Sequence, residues 1–212
     1  MSEQGHDGAR RWSVENVAVA LLAITAVLTA WSGFEASKWS GEMSIAFSRA
    51  STQRIEATRQ ATTAEAARAV DLQVFGIWLQ ATAEDDQALA EFSRERFTEH
   101  FTPAFDEWLA ARPLQNPDAP ASPFALDSYV PPGQVEAQEA DARADAYFED
   151  ALTDNRRGDN YTLLTVLFAL VLFFGALANR FDSRARSWTV LAGAGVLLLL
   201  GIGFLAAFPK IV

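Results

Sequence analysis

The sequence reads as an all-α membrane protein: three transmembrane helices, with an extramembrane helical hairpin or bundle between spans 1 and 2. Three observations carry this fold class. Residues 16–34, 160–179 and 187–209 contain no Asp, Glu, Lys or Arg, and each matches the ~20 apolar residues a helix needs to cross the hydrocarbon core. Charge sits between them: residues 34–159 hold 23 acidic and 11 basic side chains, the rest of the chain 4 and 6. No proline precedes Pro103, and Gly76 is the only glycine between Glu42 and Pro132, which favours long helices.

Residues 1–15 form a polar tail, expected to be disordered, with Arg10 and Arg11 just before span 1 (16–34). That uncharged run is longer than a signal-peptide core, and its best small residue, Ala30, is paired with Leu28 where a second small residue is needed. It reads as an uncleaved anchor. Trp12 and Trp31 bracket the span, roughly 28 Å apart on a helix, and suit the two membrane interfaces. Trp188 and Tyr161 are assigned the same interfacial role in spans 3 (187–209) and 2 (160–179). Orientation follows from Arg10, Arg11, Arg180, Arg184 and Arg186: the basic loop 180–186 and the tail share one side, expected to be cytoplasmic. Lys38, Arg156, Arg157 and Lys210 weigh the other way but are more dispersed. The reading is a multi-pass protein of a bacterial inner membrane, with residues 35–159 extracytoplasmic and 210–212 ending on the outer side. Fifteen Arg against two Lys suits a GC-rich bacterial genome.

No span contains an ionisable residue, which argues against proton relays and voltage sensors. Span 3 carries Gly203 and Ala207 in a small-xxx-small pattern that permits close helix packing. Where span 1 meets the acidic region, Trp31-Ser32-Gly33 is echoed by Trp39-Ser40-Gly41. Eight helical residues rise about 12 Å, so Trp39 is too far out for the Trp31 belt and is expected to pack on protein, at the returning helix near Arg156, or else to touch headgroups. Glu35, Lys38 and Glu42 are spaced for surface ion pairs. Gly33 and Gly41 are read as close-approach positions in an unbroken helix.

In the acidic α-helical domain, 35–159, a narrow stripe (Trp39, Met43, Phe47, Ala50, Ala57, Ala64) runs at near-heptad spacing and needs close neighbours. Thr82 is expected to cap a new helix with Glu84, Asp85 and Asp86 on its first turn. Phe97, Phe101, Phe105 and Leu109 form a core-facing ladder, and Thr102-Pro103 reads as N-cap and first helical residue. Residues 112–133 hold six of the eight prolines, interleaved with Phe124, Leu126, Tyr129 and Val130. They are expected to strap over the helices with no regular structure, and to be the best place for a partner. A returning helix over 134–155 presents Ala137, Ala140, Ala144, Phe148 and Leu152.

The chain has no cysteine and two histidines, His6 and His100, so no standard zinc set is available. No phosphate-binding glycine loop, dinucleotide fingerprint or nucleophile elbow appears. No catalytic residue, cofactor or metal is assigned, and an enzyme is not expected. The acidic surface repels nucleic acid.

With its Trp-Ser-Gly repeat after span 1, its helical loop and its strap at Asn116-Pro117-Asp118-Ala119-Pro120, the chain resembles uncharacterised bacterial three-span integral membrane proteins. The resemblance covers nearly the whole chain and implies no activity. The function expected first is a non-catalytic, oligomeric membrane scaffold or accessory subunit, with the lipid bilayer and a second copy or a membrane protein as partners. The alternatives are a homo-oligomeric pore with an acidic vestibule and an extracytoplasmic sensor acting through a membrane partner.

Overall fold

A computed structural model of the chain describes residues 14–113 and 115–211. Its elements are α1 (Val14–Ala83), α2 (Gln87–Arg94), α3 (Thr102–Ala110), a 3-10 turn (Pro123–Ala125), α4 (Gln134–Ala178) and α5 (Arg184–Ala207), with no strand among the described residues. α1, α4 and α5 are each long and apolar enough to cross a membrane. The chain divides into two compact units, one of residues 1–46 and 149–212, the other of residues 47–148.

In the first unit α1 and α4 run antiparallel with α5 beside them. Inward positions on α1 step by threes and fours: Ala18, Leu21, Thr25, half-buried Leu28, Ser32, Glu35 and Trp39. On α4 the same steps bury Tyr161, Leu164, Phe168, Val171, Gly175 and Ala178, and on α5 Leu191, Ala194, Leu198, Gly201 and Leu205. This alternation averages 3.5 residues, the period that keeps one seam facing its neighbours. Large apolar side chains on the other faces, such as Val27, Leu163 and Leu199, stay exposed, as lipid-facing residues of a span do.

Glycines permit close approach here, but at positions other than the expected ones. A Cβ at Gly201 would lie 2.5 Å from Phe168 Cε1, and one at Gly175 3.0 Å from Leu22 Cδ2. Nothing lies within 4 Å of a Cβ at Gly33, Gly41 or Gly203, and Ala207 is exposed. The seam passes through Leu198, Gly201 and Leu205, so Gly203 and Ala207 fall on another face. Within one chain they pack nothing.

In the second unit the α1–α4 pairing is built on small side chains: Ala50, Ala57 and Ala64 on one helix, Ala140 and Ala144 on the other. Exposed polar links flank it. Arg54 bridges Asp141 and Asp145, which raises its pKa, first through the Asp145 hydrogen bond and then through Asp141. Arg143 Nε donates to Gln53 Oε1 at 3.0 Å. α4 begins beside Gly133, whose φ of +89° and closeness to Gln60 O (2.6 Å from a would-be Cβ) leave no room for a side chain.

Three local expectations change. Thr82 does not cap a helix; its hydroxyl donates to Trp78 O at 2.8 Å within the last turn of α1, the back-bonding open to Ser and Thr inside helices. Asp85 turns left-handed at φ 59°, and Asp86 caps α2 by accepting from Leu89 N at 3.0 Å. Phe101 takes the N-cap position of α3, with Thr102 and Pro103 inside the helix. Four-residue ladders also drift: each step of four rotates about 40° past a full turn. Leu109 and Phe148 are therefore exposed, and Trp108 and Ala151 are buried in their place.

Candidate functional site

The described residues contain no group of three or more His, Cys, Asp or Glu side chains that could hold a metal ion. What the structure places in the interior instead is one nearly inaccessible carboxylate in each unit: Asp71, 2% exposed, and Glu35, 0% exposed. Both lie on the seam of α1, and their surroundings differ.

Asp71 sits beneath an aromatic core. α1 supplies Phe75 and Trp78; α3 and its N-cap supply Phe101, Ala104, Phe105 and Trp108, spaced to share one helix face; the strap supplies Tyr129 with Phe124 and Leu126 at the edge. Ring centroids are close: 4.8 Å for Trp78–Phe105, 5.5 Å for Phe75–Trp108 and 5.0 Å for both Phe101–Phe124 and Phe124–Tyr129. Such pairs add ~0.5–1.5 kcal/mol beyond burial. Trp108 Nε1 donates to Pro120 O at 2.8 Å, pinning the strap. Residues 112–113 and 115–133 thus run through turns with one 3-10 turn, where no regular structure was expected.

Every polar atom of Asp71 is used. Thr98 Oγ1 donates to Oδ1 at 2.6 Å, Tyr129 Oη donates to Oδ2 at 2.8 Å, and His100 Nε2 lies 2.7 Å from Oδ2. A carboxylate only accepts, so the fitting His100 tautomer carries its hydrogen on Nε2. Burial, and then the hydrogen bond to Asp71, push the Tyr129 hydroxyl well above the ordinary tyrosine range. Arg68 lies 5.9 Å above the rings of Phe124 and Tyr129. The cluster joins α1, the turn before α3 and the strap at one point. It is a closed network, with His100 at its margin (side chain 19% exposed).

Glu35 is different. Its Oε2 accepts from Ile211 N at 3.1 Å, but Oε1 has no hydrogen-bond partner among the described residues. Two more buried atoms share that condition, Ser32 Oγ and Trp39 Nε1. These three are the only unpartnered buried side-chain nitrogens and oxygens among the described residues, and they lie on one face of α1 at i, i+3 and i+7. Each unmet group costs ~1–3 kcal/mol, more when charged. Nearby, Tyr161 Oη donates to Pro209 O at 2.9 Å. Arg157 lies 4.6 Å over the Trp39 ring and donates to Asp154 Oδ1 at 2.9 Å.

The residues assigned from sequence fall around this second cluster. Trp39 packs on protein, under Arg157 where Arg156 was expected. Tyr161, taken as interfacial, is fully buried against Pro209 and Phe208, because the seven-residue seam of α4 turns it inward. Trp31 and Trp188 remain 43% and 37% exposed. Arg180, Arg184 and Arg186 are exposed around the α4–α5 turn. Trp12, Arg10, Arg11 and His6 lie outside the described residues. The surface pairing of Glu35 with Lys38 is overturned: Glu35 is inside. The α1 seam, continued outward from Thr25 and Leu28, lands on Ser32, Glu35 and Trp39, and that periodicity was the available signal.

Comparison with family models, curated proteins and solved structures gives no match, so the functional reading rests on the geometry of this chain.

Proposed function

We propose that the protein is a non-catalytic scaffold or accessory subunit of a bacterial inner membrane, of the three-span kind that the sequence resembles. In this reading the tail and the 180–186 loop are cytoplasmic, and residues 35–159 meet a partner outside. One observation supports it best. The last turns of α1 are apolar nearly all round: Phe75 and Trp78 face the core, yet Val70, Leu72, Ile77 and Leu79 remain 52%, 47%, 41% and 41% exposed on either side of it. A helix that is apolar on every face is normally covered on every face. The cover fitting this unit is a second copy or the extramembrane part of another membrane protein.

A photoreactive residue at Leu72 or Leu79 in native membranes tests this. A single discrete adduct, to the same chain or to one membrane protein, is the expected result. A strictly monomeric, adduct-free chain contradicts the proposal. Single cysteines at Asp127 and Ser183, treated with an impermeant reagent, report sidedness: labelling of the Asp127 position alone from outside is expected, and labelling of the Ser183 position overturns the orientation.

A further inference from the structure

We infer that Ser32, Glu35 and Trp39 form a binding site for one positive charge, delivered to Glu35 Oε1 as a proton or an alkali cation and accompanied by water. The atoms left unmet define what completes them. Oε1 can only accept while the carboxyl is ionised, Trp39 Nε1 can only donate, and Ser32 Oγ can do either. A cation alone cannot satisfy the indole N–H, whereas water can accept from it and link it to the hydroxyl, as buried waters link otherwise unmet groups. The positive charge has no source in the chain's described ion pairs. On α1, Lys38 is exposed. From α4, Arg157 is held by Asp154 and stacked on Trp39, and Tyr161 gives its hydroxyl hydrogen to Pro209 O. After α5, Lys210 Nζ lies 3.3 Å from Ala206 O. Glu35 is therefore a fully buried acid with no described donor on Oε1: Arg157, Tyr161 and Lys210 are engaged elsewhere, and Lys38 is exposed.

The site has a structural consequence. Glu35 Oε2 holds the backbone N–H of Ile211, and Tyr161 holds Pro209 O. The segment after α5 is thus tied to α4 by Tyr161 and to α1 by the same carboxyl group that takes the charge. Loading Oε1 changes the strength of that tie, because a carboxylate accepts more strongly than a neutral acid. Cation loading is expected to keep the segment docked and proton loading to loosen it.

Infrared difference spectra of the full chain in nanodiscs, wild type against Glu35→Gln, test the site. One series varies pH in choline chloride; the other replaces choline with sodium at fixed pH. A protonated-carboxyl C=O band that belongs to Glu35 and titrates supports the proton source. A carboxylate band that moves with sodium supports the cation. A Glu35 carboxylate band unchanged in both series overturns the proposal. Ser32→Ala, read in the wild-type Glu35 background, covers the case in which Glu35→Gln does not fold. It is expected to shift the responding midpoint roughly tenfold in concentration, or about one pH unit, as loss of a hydrogen bond to a charged group does. A midpoint that does not move removes Ser32 from the site.

Discussion

The two units each bury a carboxylate on the same helix and treat it in opposite ways. Asp71 is surrounded by three side-chain partners, Thr98, His100 and Tyr129, and shares no deficit. Glu35 has one backbone partner and sits between two other unmet groups. A satisfied network of this kind specifies one arrangement of its elements, whereas each buried group left unmet keeps its desolvation cost. The extramembrane core is therefore self-contained in its polar chemistry, and the large side chains it leaves uncovered, such as Val70 and Leu72, are apolar. The membrane unit is complete in its apolar packing and open in its polar chemistry.

The largest effect that sharpens this contrast is expected from Asp71→Ala. It leaves the hydroxyls of Thr98 and Tyr129 and the ring of His100 facing an apolar wall, and should destabilise residues 47–148 by about 3 kcal/mol. Local hydrogen exchange measures it, and a loss below about 1 kcal/mol would show that the network is ornamental. Next comes Gly201→Leu, which drives a side chain into the Phe168 ring and should cost roughly 1–3 kcal/mol through overpacking. Gly203→Leu, with nothing within reach, should be near neutral in thermal melts of the same preparation. Equal effects at both positions would erase the distinction between seam and outer face.

Tyr129→Phe is smaller, about 1 kcal/mol for one hydrogen bond, and carries a pH signature. The folded-state value of Tyr129 is raised above its ordinary 10.0. Its contribution is therefore full below pH ~10 and is lost as pH rises from there through the folded value. Wild type should lose stability in that alkaline window, and the Phe variant should lose less. Unfolding midpoints across the window decide it. Smallest of all is Arg54→Ala. Its bridges to Asp141 and Asp145 are exposed and screened by salt, so denaturation at moderate ionic strength should not resolve it from wild type.

Much of this architecture was legible in the residues, and several of the failures share one cause. Three uncharged runs mark the spans, and the absence of proline and glycine marks the long helices. Alanines recurring at Ala50, Ala57 and Ala64 mark the seam. Where spacing was taken as a constant four residues, at Leu109, Phe148 and the Gly203–Ala207 pair, the inward face was missed, since only alternating steps of three and four stay in register with a helix. Glu35 was missed for a related reason. A charge next to other charges reads as surface, although the seam through Thr25, Leu28, Ser32 and Trp39 turns it inward. The closed network at Asp71 could not be read at all, because Thr98, His100 and Tyr129 reach it across 27 to 58 residues of chain.

Hydrogen exchange on the full chain in nanodiscs, comparing Asp71→Asn with Glu35→Gln, tests the contrast most directly. Both changes swap a carboxylate for an amide of the same shape. At Asp71 the amide N–H₂ meets groups that are already donating, so exchange across residues 71–129 should accelerate strongly. At Glu35 the amide supplies a donor where the account places a positive charge, so exchange in residues 14–46 and 149–208 should stay unchanged or slow, and only Ile211, whose acceptor is now neutral, should be held less tightly. If Glu35→Gln loosens its unit as much as Asp71→Asn loosens the other, Glu35 is an internally satisfied carboxylate and the contrast between the two units is wrong.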